Sequence, residues 1–123
     1  MTVTATLSDA ATAPQILATT QQGDAVIISL RVQPELRWFQ GHFPAVALLP
    51  GVVQTTWVVE FARRHFNLPA QFRSMSNMKF MRFILPGMAV TLHLRYNADK
   101  RELAFEYREA DQVCASGRMG FIE

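Results

Sequence analysis

Residues 51–66 carry the strongest helix signal in this 123-residue chain. Apolar side chains cover nearly every face of this segment, and Arg63, Arg64 and His65 fall in the last turn, where positive charge complements the helix dipole. Pro69 follows as a stop signal. A helix that is apolar on nearly all sides is expected to be buried, so the rest of the chain has to cover it. Its apolar residues are Val52, Val53, Trp57, Val58, Val59, Phe61 and Ala62.

The other regular segments predict β-strands. Some are short and rich in β-branched side chains, and others alternate between apolar and polar residues. Turn residues separate them. The predicted strands are residues 16–18, 25–32, 72–84, 88–96, 102–109 and 112–122.

One long helix followed by consecutive antiparallel strands indicates an α+β protein. We expect a hotdog fold, in which a five- to six-stranded antiparallel sheet wraps around the central helix. Two such sheets commonly join edge to edge, so a dimer is expected as well.

Composition and length favour one folded domain. Half of the residues are apolar and 18% are charged. We expect the domain at residues 14–123 and a frayed N-terminus at residues 1–13, which lack the pattern of a secretory signal. No apolar run is long enough to span a bilayer. The single cysteine, Cys114, favours a reducing cytoplasm and is predicted to be a buried core thiol.

Charge and motifs argue against several classes of function. The net charge is only +2, and the interleaved bases and aromatics of residues 79–83 fit a strand with two faces better than a nucleic-acid surface. No cluster of Cys, His and carboxylates has metal-ligand spacing, and no glycine-rich phosphate loop occurs. We therefore predict no metal, no cofactor and no nucleic-acid partner.

The loop before the helix holds the candidate functional residues. His42 lies between Gly41 and the Phe-Pro pair at residues 43–44, which would hold its ring in a rigid turn. A second turn, Pro50–Gly51, leads into the helix. The alternative is that His42 is hydrogen-bonded only to maintain the shape of the loop.

These motifs resemble the 3-hydroxyacyl-[acyl carrier protein] dehydratases of bacterial fatty acid synthesis, the FabA/FabZ-like family. That family carries G-H-F-P-G and then P-G-V at the start of its central helix, as residues 41–44 and 50–52 do here. Residues 79–87 resemble its K-F-x-x-x-V-x-P-G-D segment. Including Gln54 and Trp57, the pattern is most similar to the ApeI-like branch associated with aryl polyene synthesis.

The resemblance implies dehydration of 3-hydroxyacyl thioesters on acyl carrier protein to trans-2-enoyl thioesters. It also implies a homodimer or a heterodimer with a homologous hotdog subunit. His42 suits the base that removes the C2 proton, because its unperturbed pKa lies near neutral pH. The backbone N–H groups of Gly51 and Val52, at the helix N-terminus, suit the thioester carbonyl. The expected substrate tunnel is lined by Phe43, Pro50, Trp57, Phe80, Met81 and Phe83.

The helix departs from the family pattern where the catalytic acid is expected. The family has Glu or Asp at the position of Thr56, and often Gln at the position of Glu60. Residues four apart share a helix face, so we expect Glu60 to act as the acid, directly or through a water, with Thr56 as a relay. The alternative is that Glu60 pairs with Arg63 or Arg64.

Two other functions stay open from the sequence. A hotdog thioesterase would use a carboxylate such as Glu60 to activate water, although the loop at residues 41–44 is not what a thioesterase needs. A non-catalytic acyl-binding subunit would retain the tunnel and pair with an active homologue. Candidate contacts for an acidic carrier protein, each more simply a solvated residue, are Arg63, Arg64, Lys79, Arg82 and Arg118.

Overall fold

The computed structural model of the chain describes residues 11–40 and 48–123. Two strands precede the helix and four follow it, which confirms the predicted α+β class. The elements are β1 (Gln15–Gln22), β2 (Ala25–Arg31), a 3-10 turn (Arg37–Phe39), α1 (Gly51–His65), β3 (Gln71–Phe80), β4 (Ala89–Asn97), β5 (Glu102–Glu109) and β6 (Gln112–Ile122).

The six strands form one antiparallel sheet in the order β1-β2-β4-β5-β6-β3. The connection that contains α1 carries the chain from β2 to β3, which lies at the far edge of the sheet. Edge strands β1 and β3 therefore each pair with a single neighbour, β2 and β6 respectively. This arrangement of one helix and one sheet is the predicted hotdog fold.

The core lies between α1 and one face of the central strands. Trp57, Val58 and Phe61 of α1 are at most 3% exposed. Alternate residues of the central strands meet them, because successive side chains of a strand point to opposite faces. The buried strand residues include Val26, Ile28, Leu30, Val90, Leu92, Leu94, Leu103, Phe105, Tyr107, Met119 and Phe121.

The expected burial of α1 on all sides is wrong for the single chain. Val52 is 72% exposed, and Thr56 and Glu60 are exposed as well. These residues are spaced four apart, so they form one stripe along the helix. The sheet covers the opposite side of α1 and cannot reach this stripe.

Residues 11–13 are held against the domain by their backbone carbonyls. The carbonyl oxygen of Thr12 accepts hydrogen bonds from the indole N–H groups of Trp38, at 2.9 Å, and Trp57, at 3.0 Å. That of Ala11 accepts one from the backbone N–H of Arg37 at 2.8 Å. The remainder of the predicted frayed segment, residues 1–10, lies outside the described residues.

Two further predictions concern the single cysteine and the membrane. Cys114 is fully buried in β6, as predicted, and burial raises the pKa of its thiol. In the parts of the chain that the structure describes, no helix has the length and apolar character needed to cross a bilayer.

Candidate functional site

Two clefts flank the N-terminal half of α1. The first, which we call the apolar cleft, has a volume of about 630 Å³ and is lined by Leu48, Leu49, Gly51, Gln54, Phe80, Met81, Arg82, Phe83 and Leu85. The second, which we call the Trp cleft, has a volume of about 430 Å³ and is lined by Thr12, Trp38, Val52, Val53, Thr56, Trp57 and Glu60.

The N-terminus of α1 leaves two backbone donors available. Pro50 is the N-cap residue, in an extended conformation, and its carbonyl oxygen accepts from the N–H groups of Val53 and Gln54 at 3.1 Å. Within the described residues, the N–H groups of Gly51 and Val52 have no acceptor. The N-cap residue Pro50 makes no side-chain capping hydrogen bond. Unpaired donors and the helix dipole together favour a negatively polarised oxygen here.

Gly51 is packed against an aromatic ring of the apolar cleft. A Cβ atom at position 51 would lie 3.1 Å from Cζ of Phe80, closer than ordinary van der Waals contact. Phe80, Met81 and Phe83, all predicted to line a tunnel, are here 52%, 53% and 71% exposed. The cleft is therefore an open apolar surface in the single chain.

The predicted tunnel residues do not all share one cleft. Phe80, Met81 and Phe83 line the apolar cleft, whereas Trp57 lines the Trp cleft. The predicted Phe43 lies outside the described residues, as does His42 with the rest of the loop at residues 41–47.

Thr56 and Glu60 lie together in the Trp cleft. The hydroxyl of Thr56 donates to the carbonyl oxygen of Val52 at 2.8 Å. Glu60 lies nine positions after Gly51, which is two and a half helical turns, so the two residues lie on opposite sides of α1. The structure thus brings Thr56 and Glu60 together but not onto the face of α1 that lines the apolar cleft.

The two arginines considered as partners of Glu60 make other contacts. The guanidinium group of Arg63 donates to the carbonyl oxygens of Pro69 and Ala70, both at 3.1 Å. That of Arg64 lies 5.0 Å from the ring centroid of Phe61. Among the described residues, Glu60 has no ion pair.

In the sequence Gln54 is only part of the motif that resembles the ApeI-like branch, but the structure gives it a distinct place. Gln54 is 4% exposed and lines the apolar cleft. Its Nε2 donates to the carbonyl oxygen of Leu49 at 3.2 Å, and its backbone carbonyl oxygen accepts from the hydroxyl of Tyr107 at 2.6 Å. Its Oε1 has no hydrogen-bond donor within the part of the chain that the structure describes. A glutamine in an otherwise apolar first turn was the only sequence signal.

A third cavity, of about 360 Å³, includes polar residues of the sheet face that points away from α1. His93, Glu106 and Arg108 line this cavity, and Glu106 forms an ion pair with Arg108. Nε2 of His93 lies 3.0 Å from the hydroxyl of Thr91. Burial, and then the charge of Arg108, lower the pKa of His93. No group of residues that could hold a metal ion occurs in the described part of the chain.

Comparison with known proteins identifies relatives along most of the chain. The family model described as ApeI-like, ApeI dehydratase, matches residues 18–118. The FabZ 3-hydroxyacyl-[acyl-carrier-protein] dehydratase of Colwellia psychrerythraea is 33% identical over 81 residues, which are 58% of this chain and 54% of that protein. The FabZ of Lactobacillus helveticus is 23% identical over 110 residues, 81% of this chain and 74% of that protein. The chain thus spans about half the length of the first relative and three quarters of the second.

Solved structures show the same similarity. The dehydratase heterocomplex ApeI:P from Xenorhabdus doucetiae contains a chain that is 32% identical, with a TM-score of 0.81 over 88% of this chain and 96% of that one. An uncharacterized protein from Erwinia carotovora subsp. atroseptica is 35% identical, with a TM-score of 0.77 over 88% and 94%. The dehydratase domain of PpsC from Mycobacterium tuberculosis, at 14% identity and a TM-score of 0.65 over 88% of this chain and 43% of that one, shares the fold alone. With its motifs, its hotdog architecture and a family match that spans 101 residues, the chain belongs to the ApeI-like dehydratase family.

Proposed function

We propose that this protein removes water from 3-hydroxyacyl thioesters on acyl carrier protein and forms trans-2-enoyl thioesters. The reaction would serve chain elongation of the fatty acid or aryl polyene type, in the cytoplasm and without a cofactor. The observation that carries the proposal is the open N-terminus of α1 beside a large apolar cleft. Family membership favours dehydration over the thioesterase and the non-catalytic subunit left open by the sequence.

The thioester carbonyl is placed at the start of α1. The N–H groups of Gly51 and Val52 are available there, and negative charge develops on the carbonyl oxygen when the neighbouring C2 loses a proton. The acyl chain then follows the apolar cleft along Phe80, Met81 and Phe83, whose side chains offer it apolar contact. Flexible methionine suits chains of varied shape.

Proton transfer is assigned to His42 and Glu60. His42 takes the proton from C2, the C2–C3 double bond forms as the C3–O bond breaks, and the leaving hydroxyl takes a proton from Glu60 to depart as water. Thr56 lies in the same cleft as Glu60 and relays this proton or holds the water that does so. The proton taken up by His42 later returns to Glu60 through solvent, which restores both groups.

A second subunit completes the site in this proposal. Gly51 and Glu60 face different clefts of one chain, so a single subunit does not present both to one substrate. β3 is an edge strand, and the exposed apolar residues Phe72 and Met75 lie along it. We expect a homologous hotdog subunit, identical or not, to pair at this edge. It would cover the open side of the apolar cleft and bring its own helix close to it. The Xenorhabdus doucetiae relative, described as a heterocomplex, supports this arrangement.

The decisive experiment measures loss of water from a 3-hydroxyacyl thioester on acyl carrier protein by mass spectrometry. The protein is assayed alone and with a co-expressed homologous subunit. His42→Ala is expected to abolish turnover, and Glu60→Gln to lower it about 100-fold or more, since general acid catalysis contributes at least that factor. Thr56→Val is expected to have a smaller effect.

Matched controls are exposed residues away from both clefts. His65→Ala, at the end of α1, and Glu35→Gln, in the loop after β2, should leave turnover unchanged. Near-normal turnover in Glu60→Gln would remove Glu60 from the mechanism. Release of free thiol without an enoyl product would replace dehydration by thioester hydrolysis.

A further inference from the structure

Gln54 presents a buried polar atom that the proposed dehydration leaves unused. Gln54 is 4% exposed, and among residues 11–40 and 48–123 its Oε1 has no hydrogen-bond donor. Burying an unpaired carbonyl oxygen costs free energy that most proteins avoid. Such an atom beside a ligand cleft is a sign that a donor arrives with the ligand.

The orientation of this amide is determined by its neighbours. The Leu49 carbonyl oxygen, 3.2 Å from Nε2, can only accept a hydrogen bond. Turning the amide over would place two acceptors against each other, so the nitrogen has to face Leu49 and the oxygen is left for another partner. The Tyr107 hydroxyl fixes the backbone of the same residue through a 2.6 Å hydrogen bond.

The surroundings define the chemistry of the missing donor. The cleft that Gln54 lines is otherwise apolar apart from Arg82, so its occupant is an apolar group with a hydrogen-bond donor. Gln54 lies three residues after Gly51, about 4.5 Å along the helix axis and on nearly the same face. In a 3-hydroxyacyl thioester whose carbonyl oxygen contacts Gly51, the C3 hydroxyl follows two carbons further along the chain.

We propose that Oε1 of Gln54 accepts a hydrogen bond from the C3 hydroxyl of the substrate and selects 3-hydroxyacyl over unsubstituted acyl chains. This assignment rests on the proposed function, because that function places the thioester at Gly51. When Oε1 of Gln54 accepts the hydroxyl hydrogen, the lone pairs of the substrate's C3 oxygen point away from Gln54. They then point towards a proton donor. Gln54 thereby holds the leaving group in the orientation that its protonation needs.

The test is a binding measurement that does not depend on turnover. Titration calorimetry in the His42→Ala background compares three N-acetylcysteamine thioesters: 3-hydroxydecanoyl, 3-fluorodecanoyl and decanoyl. The fluoro compound keeps a polar substituent of similar size but cannot donate. We expect the hydroxy compound to bind about threefold to tenfold more tightly than the other two, as one neutral hydrogen bond provides.

Substitution of Gln54 then assigns this preference to its side chain. Gln54→Leu should equalise the three affinities and leave decanoyl binding within about twofold, while Thr55→Val serves as the control. Thr55 is also buried on α1, but its hydroxyl donates to the Val52 carbonyl oxygen and it does not line the cleft. Should Gln54→Leu fail to fold, Gln54→Met takes its place, since methionine has a similar length and lacks the carbonyl oxygen.

The possible outcomes separate this inference from the dehydration itself. A preference for the hydroxy compound that vanishes in Gln54→Leu supports the inference even if no turnover is found. Turnover combined with equal binding of the hydroxy and fluoro compounds, or a preference that persists in Gln54→Leu, overturns it and leaves the dehydratase in place. If none of the three compounds binds, the inference about Gln54 fails, and turnover on acyl carrier protein decides the dehydration independently.

Discussion

At the level of single residues, Gly51 shows how one position meets two requirements. Its backbone conformation is not one that only glycine adopts, so the requirement is for space. A Cβ atom there would crowd the ring of Phe80 at 3.1 Å, and the proposed thioester carbonyl has to approach the N–H of the same residue. The Phe80 ring and the proposed thioester carbonyl both need this space at the entrance of the apolar cleft.

We expect the free energy of unfolding of Gly51→Ala to lie within about 1 kcal/mol of that of the natural protein, because the lower backbone entropy of unfolded alanine is offset by its close contact with the Phe80 ring. Its kcat/KM should fall by about tenfold or more, since small displacements at a reacting centre are costly. Urea unfolding and the dehydration assay measure the two effects separately.

A second substitution distinguishes two causes of low activity in Gly51→Ala, namely crowding by the Phe80 ring and obstruction of the thioester carbonyl. In the double variant Gly51→Ala with Phe80→Leu the ring is gone, so activity should recover if crowding by Phe80 is responsible. Activity that stays low in the double variant, although Phe80→Leu alone is active, identifies the approach of the thioester as the requirement. An unchanged kcat/KM in Gly51→Ala alone would contradict the placement of the carbonyl.

The sequence motif placed the backbone N–H of Gly51 at the thioester carbonyl, but it did not predict that Phe80 is the neighbour of Gly51. That contact joins residues far apart in the chain, and only the packing of β3 beside α1 creates it. The unpaired Oε1 of Gln54 was equally beyond sequence reasoning, because burial of a single atom depends on all elements around it. Residues from separate segments come together around a cleft only in the folded chain, so the sequence does not show which of them are neighbours.

Among the elements, strands with one buried face were the easiest to predict. β5 was predicted at residues 102–109 and occupies them, since buried and half-buried residues alternate along it. β1 was predicted at residues 16–18 but extends over Gln15–Gln22. Every residue of β1 is exposed, so its sequence has no alternation, and its pairing with β2 alone defines its length.

The outer face of the sheet has a pH-dependent residue, His93 of β4. It lies opposite Glu106 of β5 and Ile27 of β2, with Arg95 and Arg108 lining the same cavity. Burial and the charge of Arg108 lower its pKa in the folded protein, while Glu106 acts in the opposite sense. The folded state therefore favours the neutral ring more than the unfolded state does.

This difference predicts how stability responds to pH. The contribution of neutral His93 is complete above the unfolded pKa of about 6.5 and is lost as the pH falls through the lower folded pKa. The urea midpoint of the natural protein should therefore drop more between pH 8 and pH 5 than that of His93→Gln. His65→Gln, at the exposed end of α1, controls for removal of a histidine, and an identical drop in His93→Gln would refute the expectation.

For the whole molecule, the order of the strands has the largest consequence and was not predictable. Alternation and turns give the number of strands, but not that β3 would cross to the far edge beside β6 rather than pair with β2. The connection that contains α1 carries the chain across to this far edge. Within the described residues, it leaves β3 with one unpaired edge next to the cleft proposed as the substrate site.

The exposed apolar edge of β3 favours association with a second subunit. Phe72, Met75 and Phe80 of β3 are 45–52% exposed, and Met81 and Phe83 continue the apolar surface. Unpaired backbone groups together with such a surface mark an association site. We therefore expect Met75→Lys to reduce the assembly to single chains in light scattering, because a charge would be buried at the junction of two sheets.

The same variant tests whether the site needs two subunits. If Glu60 serves a cleft on the neighbouring chain, Met75→Lys should lose dehydration while circular dichroism shows an intact fold. Leu17→Lys is the matched control, since Leu17 is 54% exposed on β1, the opposite edge strand. Full activity of a monomeric Met75→Lys protein would show that one chain holds the complete site, and Glu60 would then have to act across its own helix. If Leu17→Lys rather than Met75→Lys dissociates the assembly, the interface lies at β1. The second subunit then does not cover the apolar cleft.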